Sequence, residues 1–208
     1  MKGCALLPVK RLEKAKTRLS KTLSEPQRRR LVLRLFIRTA RLCEEAGLEV
    51  VSVTSDPVVA EEAERRGWGL VVDKGQGLNS SLKTALKAET MGPVLIVLPD
   101  LPFLRTENIK AVLSIGRAKG FVICPDLWQK GTNMLYLGSV NDFTPMFGYD
   151  SYRRHLTQLR RLHQVSTFVE LGTALDIDTP KDLHLLSKLS TRTDVLQLDH
   201  GNRGQLVK

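Results

Sequence analysis

Long apolar runs are missing from this 208-residue sequence. No stretch reaches the ~18 uninterrupted apolar residues of a membrane-spanning helix. The short apolar N-terminus has charged residues close behind it, so it is not expected to be a signal peptide. Cysteine is scarce, with only Cys4, Cys43 and Cys124. They lie far apart within apolar patterns, make neither a metal-binding spacing nor a disulfide framework, and are expected to be buried thiols in a reducing cytoplasm. No Gly-x-Ser-x-Gly elbow is present and no cysteine has an evident partner base, so a protein nucleophile is not expected. The glycines of a dinucleotide-binding loop and the full P-loop pattern are also absent. Aromatic residues make up 5% of the chain, and none lies between Met1 and Phe36.

That last absence matters because positive charge is concentrated in the same stretch. Residues 1–41 hold thirteen Lys and Arg against Glu13 and Glu25, and the rest of the chain is close to neutral. A focused positive field draws in polyanions. Nucleic acid would be the obvious partner, but the stacking platforms that single strands use are missing here. Arg28, Arg29, Arg30, Arg34, Arg38 and Arg41 follow a helical pattern and are read as its solvated face. Lys10, Lys14, Lys16 and Arg18 precede that helix in a loop and are read as phosphate binders, with arginine able to grip bidentately and lysine acting as a point charge.

Hydrophobic residues make up 42% of the chain, enough for a buried core. One domain is expected over residues 1–190, followed by a polar tail at 191–208. Strand and helix patterns alternate. Strands are expected at Gly3 to Val9, Glu49 to Thr54, Gly69 to Val72, Pro93 to Leu98, Phe121 to Cys124, Thr132 to Leu137 and Val165 to Val169. Helices are expected after the capping box Ser24-Glu25-Pro26-Gln27, after Asp56-Pro57, near Asn79 to Ala88, after Thr106 as cap, over Ser151 to Leu162 and after Thr179-Pro180. This alternation predicts an α/β fold, a mostly parallel sheet flanked by helices, with ligands bound outside the carboxyl ends of the strands.

Four constellations carry chemistry. Asp176-Ile177-Asp178 places two carboxylates on one face if the segment is extended. With Asp100, bracketed by Pro99 and Pro102 after an apolar run, they could hold a hard divalent cation such as Mg2+. The basic loop with Pro8-Val9-Lys10 supplies the complementary charge. Gly75-Gln76-Gly77 and Asn79 allow close backbone approach to a flat ligand and a donor–acceptor amide for a base edge, or form an ordinary strand-to-helix turn. Gly131-Thr132-Asn133 with Gly148 and Ser151 offers small donors for an anion, although Ser151 could simply cap a helix. His155 is read as a structural group. A non-catalytic basic module that binds a polyanion remains the alternative from another class.

The order and spacing of these motifs resemble the 2-phospho-L-lactate guanylyltransferases and their phosphoenolpyruvate-using relatives, from Pro8 through Leu183. The marks are Pro8-Val9-Lys10, Ala15-Lys16-Thr17-Arg18-Leu19, Gly77-Leu78-Asn79, Pro99-Asp100-Leu101-Pro102, Gly131-Thr132-Asn133, Phe147-Gly148 with Ser151 and His155, and Asp176-Ile177-Asp178-Thr179-Pro180. The resemblance implies a Rossmann-like, MobA-type nucleotidyltransferase fold of the nucleotide-diphospho-sugar transferase kind. It implies transfer of GMP from GTP to 2-phospho-L-lactate, phosphoenolpyruvate or 3-phosphoglycerate, with pyrophosphate released, in coenzyme F-420 biosynthesis. Asp100, Asp176 and Asp178 would ligate Mg2+. Lys10, Lys16 and Arg18 would face the triphosphate, with Pro8, Gly77, Asn79 and Asp100 around the nucleotide. Thr132, Gly148 and Ser151 would cradle the acid. No nucleic acid or membrane is implied, and a homodimer is compatible. A MobA-like enzyme acting on molybdopterin or a sugar phosphate is disfavoured by the missing Gly-Gly-x-Ser loop. Asp150 departs from the pattern as a carboxylate beside an expected anion site.

Overall fold

A computed structural model describes residues 3–72, 77–88, 92–162 and 164–189. The tail from Thr191 onward and Gly75-Gln76 lie outside the described residues. Seven strands form one sheet: β1 (Cys4–Val9), β2 (Glu49–Thr54), β3 (Gly69–Val72), β4 (Val94–Val97), β5 (Phe121–Pro125), β6 (Thr132–Leu137) and β7 (Val165–Thr167). Their order is β3-β2-β1-β4-β6-β5-β7. Every pairing is parallel except those of β6, which runs antiparallel to both β4 and β5. The chain first winds from β1 outward to β3 and then returns to place β4 on the other side of β1. This reversal of winding makes the crevice at the carboxyl ends of β1 and β4 the natural ligand site.

Seven helices lie among the described residues: α1 (Glu25–Glu45), α2 (Pro57–Arg65), α3 (Leu78–Ala88), α4 (Thr106–Lys119), α5 (Ser151–Leu162), α6 (Leu171–Ala174) and α7 (Pro180–Leu189). Strand β1 shows why both faces are covered, since all six of its residues are buried. Ala5, Leu7 and Val9 join a core with Phe36 of α1, Val59 of α2 and Ile109 of α4. Cys4 and Leu6, with the opposite parity, pack with Leu82 of α3 and Leu159 of α5. Period-two alternation divides one apolar strand between two cores. The three cysteines are buried and form no disulfide among the described residues, and burial pushes the thiols of Cys43 and Cys124 well above their ordinary range.

A third, smaller core lies under the N-terminal loop. Leu19, Leu23, Leu31, Leu35, Ile177 and Leu186 form it. It ties the short 3-10 turn Thr17–Leu19 to the segment carrying Asp176 and Asp178, whereas the preceding turn, Leu12–Lys14, packs through Leu12 on the first core.

The structure corrects four local expectations. Asp176–Asp178 lies in an irregular connection between α6 and α7, not in a strand. Thr106 does not cap α4: Arg105 holds the cap position and its N–H donates to Asn108 Oδ1 at 2.9 Å. Thr106 instead donates its hydroxyl to Glu45. The short helix α6 was not expected. Gly172 in it lies so close to Asn108 and Phe103 that an added Cβ would sit 2.4 Å from Asn108 Oδ1. Finally, Arg38 is not part of a solvated face, since it donates to the Leu101 and Leu104 carbonyls.

Candidate active site

Asp56 builds the first wall of the site. Its Oδ1 caps α2 by accepting from the Val58 and Val59 N–H groups, while Oδ2 accepts from the Leu12 N–H at 2.8 Å. One buried carboxylate thus starts a helix and pins the basic loop over the sheet edge. Leu12, Ala15 and Leu19 face inward from this loop. Lys10, Lys14, Lys16 and Arg18 line a cleft of about 870 Å³. Lys16 adopts the left-handed conformation, with φ 51° and ψ 40°, uncommon outside glycine.

The same parity rule positions the acids. Ile177 is 1% exposed in the small third core, so its neighbours Asp176 and Asp178 turn the other way, into the cleft. The Ile177 N–H donates to the Asp100 carbonyl at 3.2 Å, joining this segment to the loop after β4. Asp182 accepts from the Asp178 and Thr179 N–H groups at 3.0 and 2.6 Å, and so fixes the start of α7. Oxygens of Asp100, Asp176 and Asp178 lie within 4.8 Å of one another. The ammonium of Lys16 donates to Asp100 Oδ2 and Asp178 Oδ1, each at 2.6 Å.

These contacts set the charge states. Burial works against the Lys16 ammonium, but Asp100 and Asp178 more than offset it and hold its pKa above the usual lysine range. Burial pushes Asp178 up, yet Lys16, then Arg18 and Lys10, bring it below the ordinary carboxylate value. Among the described residues no cation forms an ion pair with Asp176, and the Lys16 charge lowers it only weakly. Burial, with the charges of Asp100 and Asp178, raises it to about 7. Asp100 Oδ1 is buried and accepts no hydrogen bond from any described residue. Three clustered carboxylates with one orphaned buried oxygen fit a hard divalent cation.

The far wall comes from the β5–β6 hairpin and α5. Asp126 closes the turn between those strands: Oδ1 accepts from the Trp128 and Lys130 N–H groups and Oδ2 from that of Gly131, at 3.1, 2.8 and 2.8 Å. A Cβ on Gly131 would sit 2.8 Å from that Oδ2, so a larger residue there would have to displace the Asp126 carboxylate. Thr132 follows at the start of β6. Because β6 is antiparallel, its beginning lies at the same sheet edge as the ends of β1 and β4. The Thr132 N–H donates to Ser151 Oγ at 3.0 Å, at the first turn of α5. Gly148, with φ +114°, makes the bend just before that turn.

Ten of the residues singled out in the sequence line this one cleft: Pro8, Lys10, Lys16, Arg18, Asp100, Thr132, Gly148, Ser151, Asp176 and Asp178. Gly77 and Asn79 flank Leu78, which does line it. The Asn79 amide is not presented to a base edge: Nδ2 donates to the Phe147 carbonyl and Oδ1 accepts the Phe147 N–H, at 3.0 and 2.7 Å. Asn133 likewise spends its amide on the Thr173 and Ala174 carbonyls. Asp150 lines the cleft with a distant partner in Arg153, at 3.7 Å. Tyr149, next to Gly148, lines it too, as do Asp126 and Lys130, and sequence reasoning missed the last two. The spacing of Asp126 from Gly131 was the available signal for the first of those.

His155 is fully buried behind Thr132. Burial, helped by the charge of Arg154, lowers its pKa to about 4. The unfolded chain takes up this proton near pH 6.5, whereas the folded chain resists until about pH 4. Stability from this group is therefore complete above pH 6.5 and falls as pH drops through that window, by roughly 3 kcal/mol. Urea denaturation of wild type and His155→Gln between pH 7.5 and 4 should show the variant losing that part of the slope. Parallel profiles for the two proteins would contradict this assignment.

The sheet order, and the cleft at its point of reversal, define an α/β protein of the nucleotidyltransferase fold. The structure is similar to a proposed nucleotide-diphospho-sugar transferase from Desulfovibrio desulfuricans G20, with a TM-score of 0.76 and 19% identity over 94% of this chain and 93% of that one. It is also similar to a Mycobacterium tuberculosis H37Rv protein solved in complex with manganese, with a TM-score of 0.56 and 18% identity over 89% and 97% of the two chains. The chain belongs to the family described as guanylyl transferase CofC like, which matches residues 3–189. It is 37% identical to a phosphoenolpyruvate guanylyltransferase of Sphaerobacter thermophilus, over 90% of this chain and 93% of that protein. It is 28% identical to a 2-phospho-L-lactate guanylyltransferase of Methanocaldococcus infernus, over 86% and 81% of the two. Among the described residues, no helix is long and apolar enough to cross a membrane.

Proposed function

We propose that this protein transfers the guanylyl group of GTP to a phosphorylated three-carbon acid, in the cytoplasm, as one domain over residues 1–190. Phosphoenolpyruvate is the acceptor we favour over 2-phospho-L-lactate, because the relatives named for it are the more similar ones. The product would enter biosynthesis of the deazaflavin coenzyme F-420. One observation carries the reading: a cationic wall, a three-carboxylate cluster and a pair of hydroxyls line a single cleft. Such a cleft suits a polyphosphate on one side and a small oxyanion on the other.

In this mechanism an oxygen of the acceptor's phosphate attacks the α-phosphorus of GTP. The bond from that phosphorus to the α–β bridging oxygen breaks, and pyrophosphate leaves with the electron pair. The acceptor phosphate is already anionic, so no general base is needed. Catalysis then rests on alignment and charge neutralisation. Lys10, Lys14 and Arg18 would balance the triphosphate. Lys16 would hold Asp100 and Asp178 in place and sit beside the developing charge. Mg2+ held by Asp100, Asp176 and Asp178 would supply electrostatic stabilisation of the transferring phosphoryl groups. Thr132 and Ser151 would donate to the acid, and the bend at Gly148 would bring backbone close to it.

The test is pyrophosphate release by purified protein with GTP, MgCl2 and either phosphoenolpyruvate, 2-phospho-L-lactate or 3-phosphoglycerate. Acid-dependent release, fastest with phosphoenolpyruvate, is expected. Folded protein that releases none with any of the three would overturn the proposal.

A further inference from the structure

We propose that His155 is a positioning residue that fixes the Thr132 hydroxyl as a hydrogen-bond donor into the cleft, and so makes the acid subsite selective for an oxyanion. The inference rests on the reading of Thr132 and Ser151 as that subsite.

The argument begins with hydrogen count. His155 Nε2 lies 2.9 Å from the Met146 N–H. A backbone N–H can only donate, so Nε2 must present its lone pair. A neutral imidazole with a bare Nε2 carries its hydrogen on Nδ1. That atom lies 3.0 Å from Thr132 Oγ1, so the imidazole donates and the threonine oxygen accepts. Oγ1 owns one hydrogen of its own, and that hydrogen is driven to the side away from the ring. Thr132 lines the cleft.

Ser151 behaves in the same way. Its Oγ accepts from the Thr132 N–H, and its own hydrogen is left over. Neither hydroxyl hydrogen meets a protein acceptor among the described residues. The pair therefore offers two donors, with one lone pair of each oxygen already occupied. A carboxylate or phosphate oxygen satisfies both, while a ligand that must itself donate, such as an amide nitrogen or an ammonium, does not.

The ring is held so that this polarity cannot reverse. Phe147 packs edge-on at 4.8 Å between centroids, and Phe143 lies at 5.6 Å. The Phe147 backbone is itself clamped by Asn79, which gives that amide a role in the site without ligand contact. Burial keeps the imidazole neutral at physiological pH, consistent with the single tautomer.

Two substitutions separate positioning from mere packing. In His155→Asn the amide nitrogen can take the place of Nδ1 and still donate to Thr132. In His155→Gln the amide reaches the place of Nε2 and serves Met146 instead. His155→Gln should raise the KM for the acid about tenfold or more, the loss of one oriented bond to a charged group, with the KM for GTP within about twofold of wild type. His155→Asn should keep the acid KM within about threefold of wild type. Equal effects of the two variants, or a rise in both KM values together, would overturn the inference. Nitrogen-15 NMR of the wild-type imidazole, which needs no substrate and no variant, should show hydrogen on Nδ1. Hydrogen on Nε2 would overturn the inference even if either variant failed to fold. Absence of turnover by wild type with every acid would fall on the functional reading, whereas an active wild type with an unaffected His155→Gln falls on this one.

Discussion

Replacing Asp178 with alanine should lower kcat/KM for guanylyl transfer by at least about a thousandfold, the several kcal/mol a bound divalent cation contributes to a phosphoryl-type transition state. The fold should survive. The Asp178 side chain is 45% exposed, and its backbone N–H is held by Asp182 rather than by its own carboxylate. Lys16 would keep one carboxylate partner in Asp100. The measurement is steady-state pyrophosphate release alongside thermal unfolding. The same variant separates an enzyme from a basic polyanion-binding module. In the latter, removing a negative charge beside the Lys10–Arg18 loop should leave polyanion binding unchanged or slightly stronger. Near-normal turnover in a folded Asp178→Ala protein would sink the assignment of the carboxylate cluster.

The second large effect concerns stability. Lys16→Met keeps most of the side-chain volume and removes the charge that Asp100 and Asp178 share. Breaking a buried ion pair from one side costs roughly 3–5 kcal/mol. Partial exposure of Asp178 reduces this through solvent screening, so about 2 kcal/mol is expected in chelator at pH 8. Millimolar Mg2+ should restore a good part of that loss in the variant and have a smaller effect on wild type, because the cation replaces the missing positive charge and binds only the assembled cluster. Guanidinium or thermal denaturation with and without Mg2+ measures it. A variant as stable as wild type in chelator, or one that Mg2+ leaves unchanged, would refute this picture of Lys16.

Local signals made much of the fold legible. The strands Glu49–Thr54 and Gly69–Val72 and the helix Ser151–Leu162 have the bounds the sequence implied. Each is a periodic or apolar run closed by a residue with a definite backbone role, such as the Asp56 cap or the left-handed Gly67. The carboxylate pair was legible for a related reason. Parity turned Asp176 and Asp178 to one side although no strand forms there, because Ile177 between them is an anchor. What could not be read was pairing over distance. Periodicity carries no strand direction, so the reversed β6 was invisible. Lys16 meets partners 84 and 162 residues away, and nothing local announces them. Nothing near Asn79 in the sequence signals Phe147, 68 residues on, which takes up its amide. Polar side chains near a site look alike in sequence whether they serve the ligand or the wall.

The reversed strand has an evolutionary consequence. By turning the β5–β6 hairpin back on itself, the fold delivers Asp126, Lys130, Thr132, Gly148, Ser151 and His155 from one contiguous stretch of about thirty residues. The parts assigned to the nucleotide come from other stretches. On the proposed assignment of Thr132, Gly148 and Ser151 to the acceptor, a change of acceptor can be inherited as a single exchanged cassette, with the nucleotide half of the cleft left as it was.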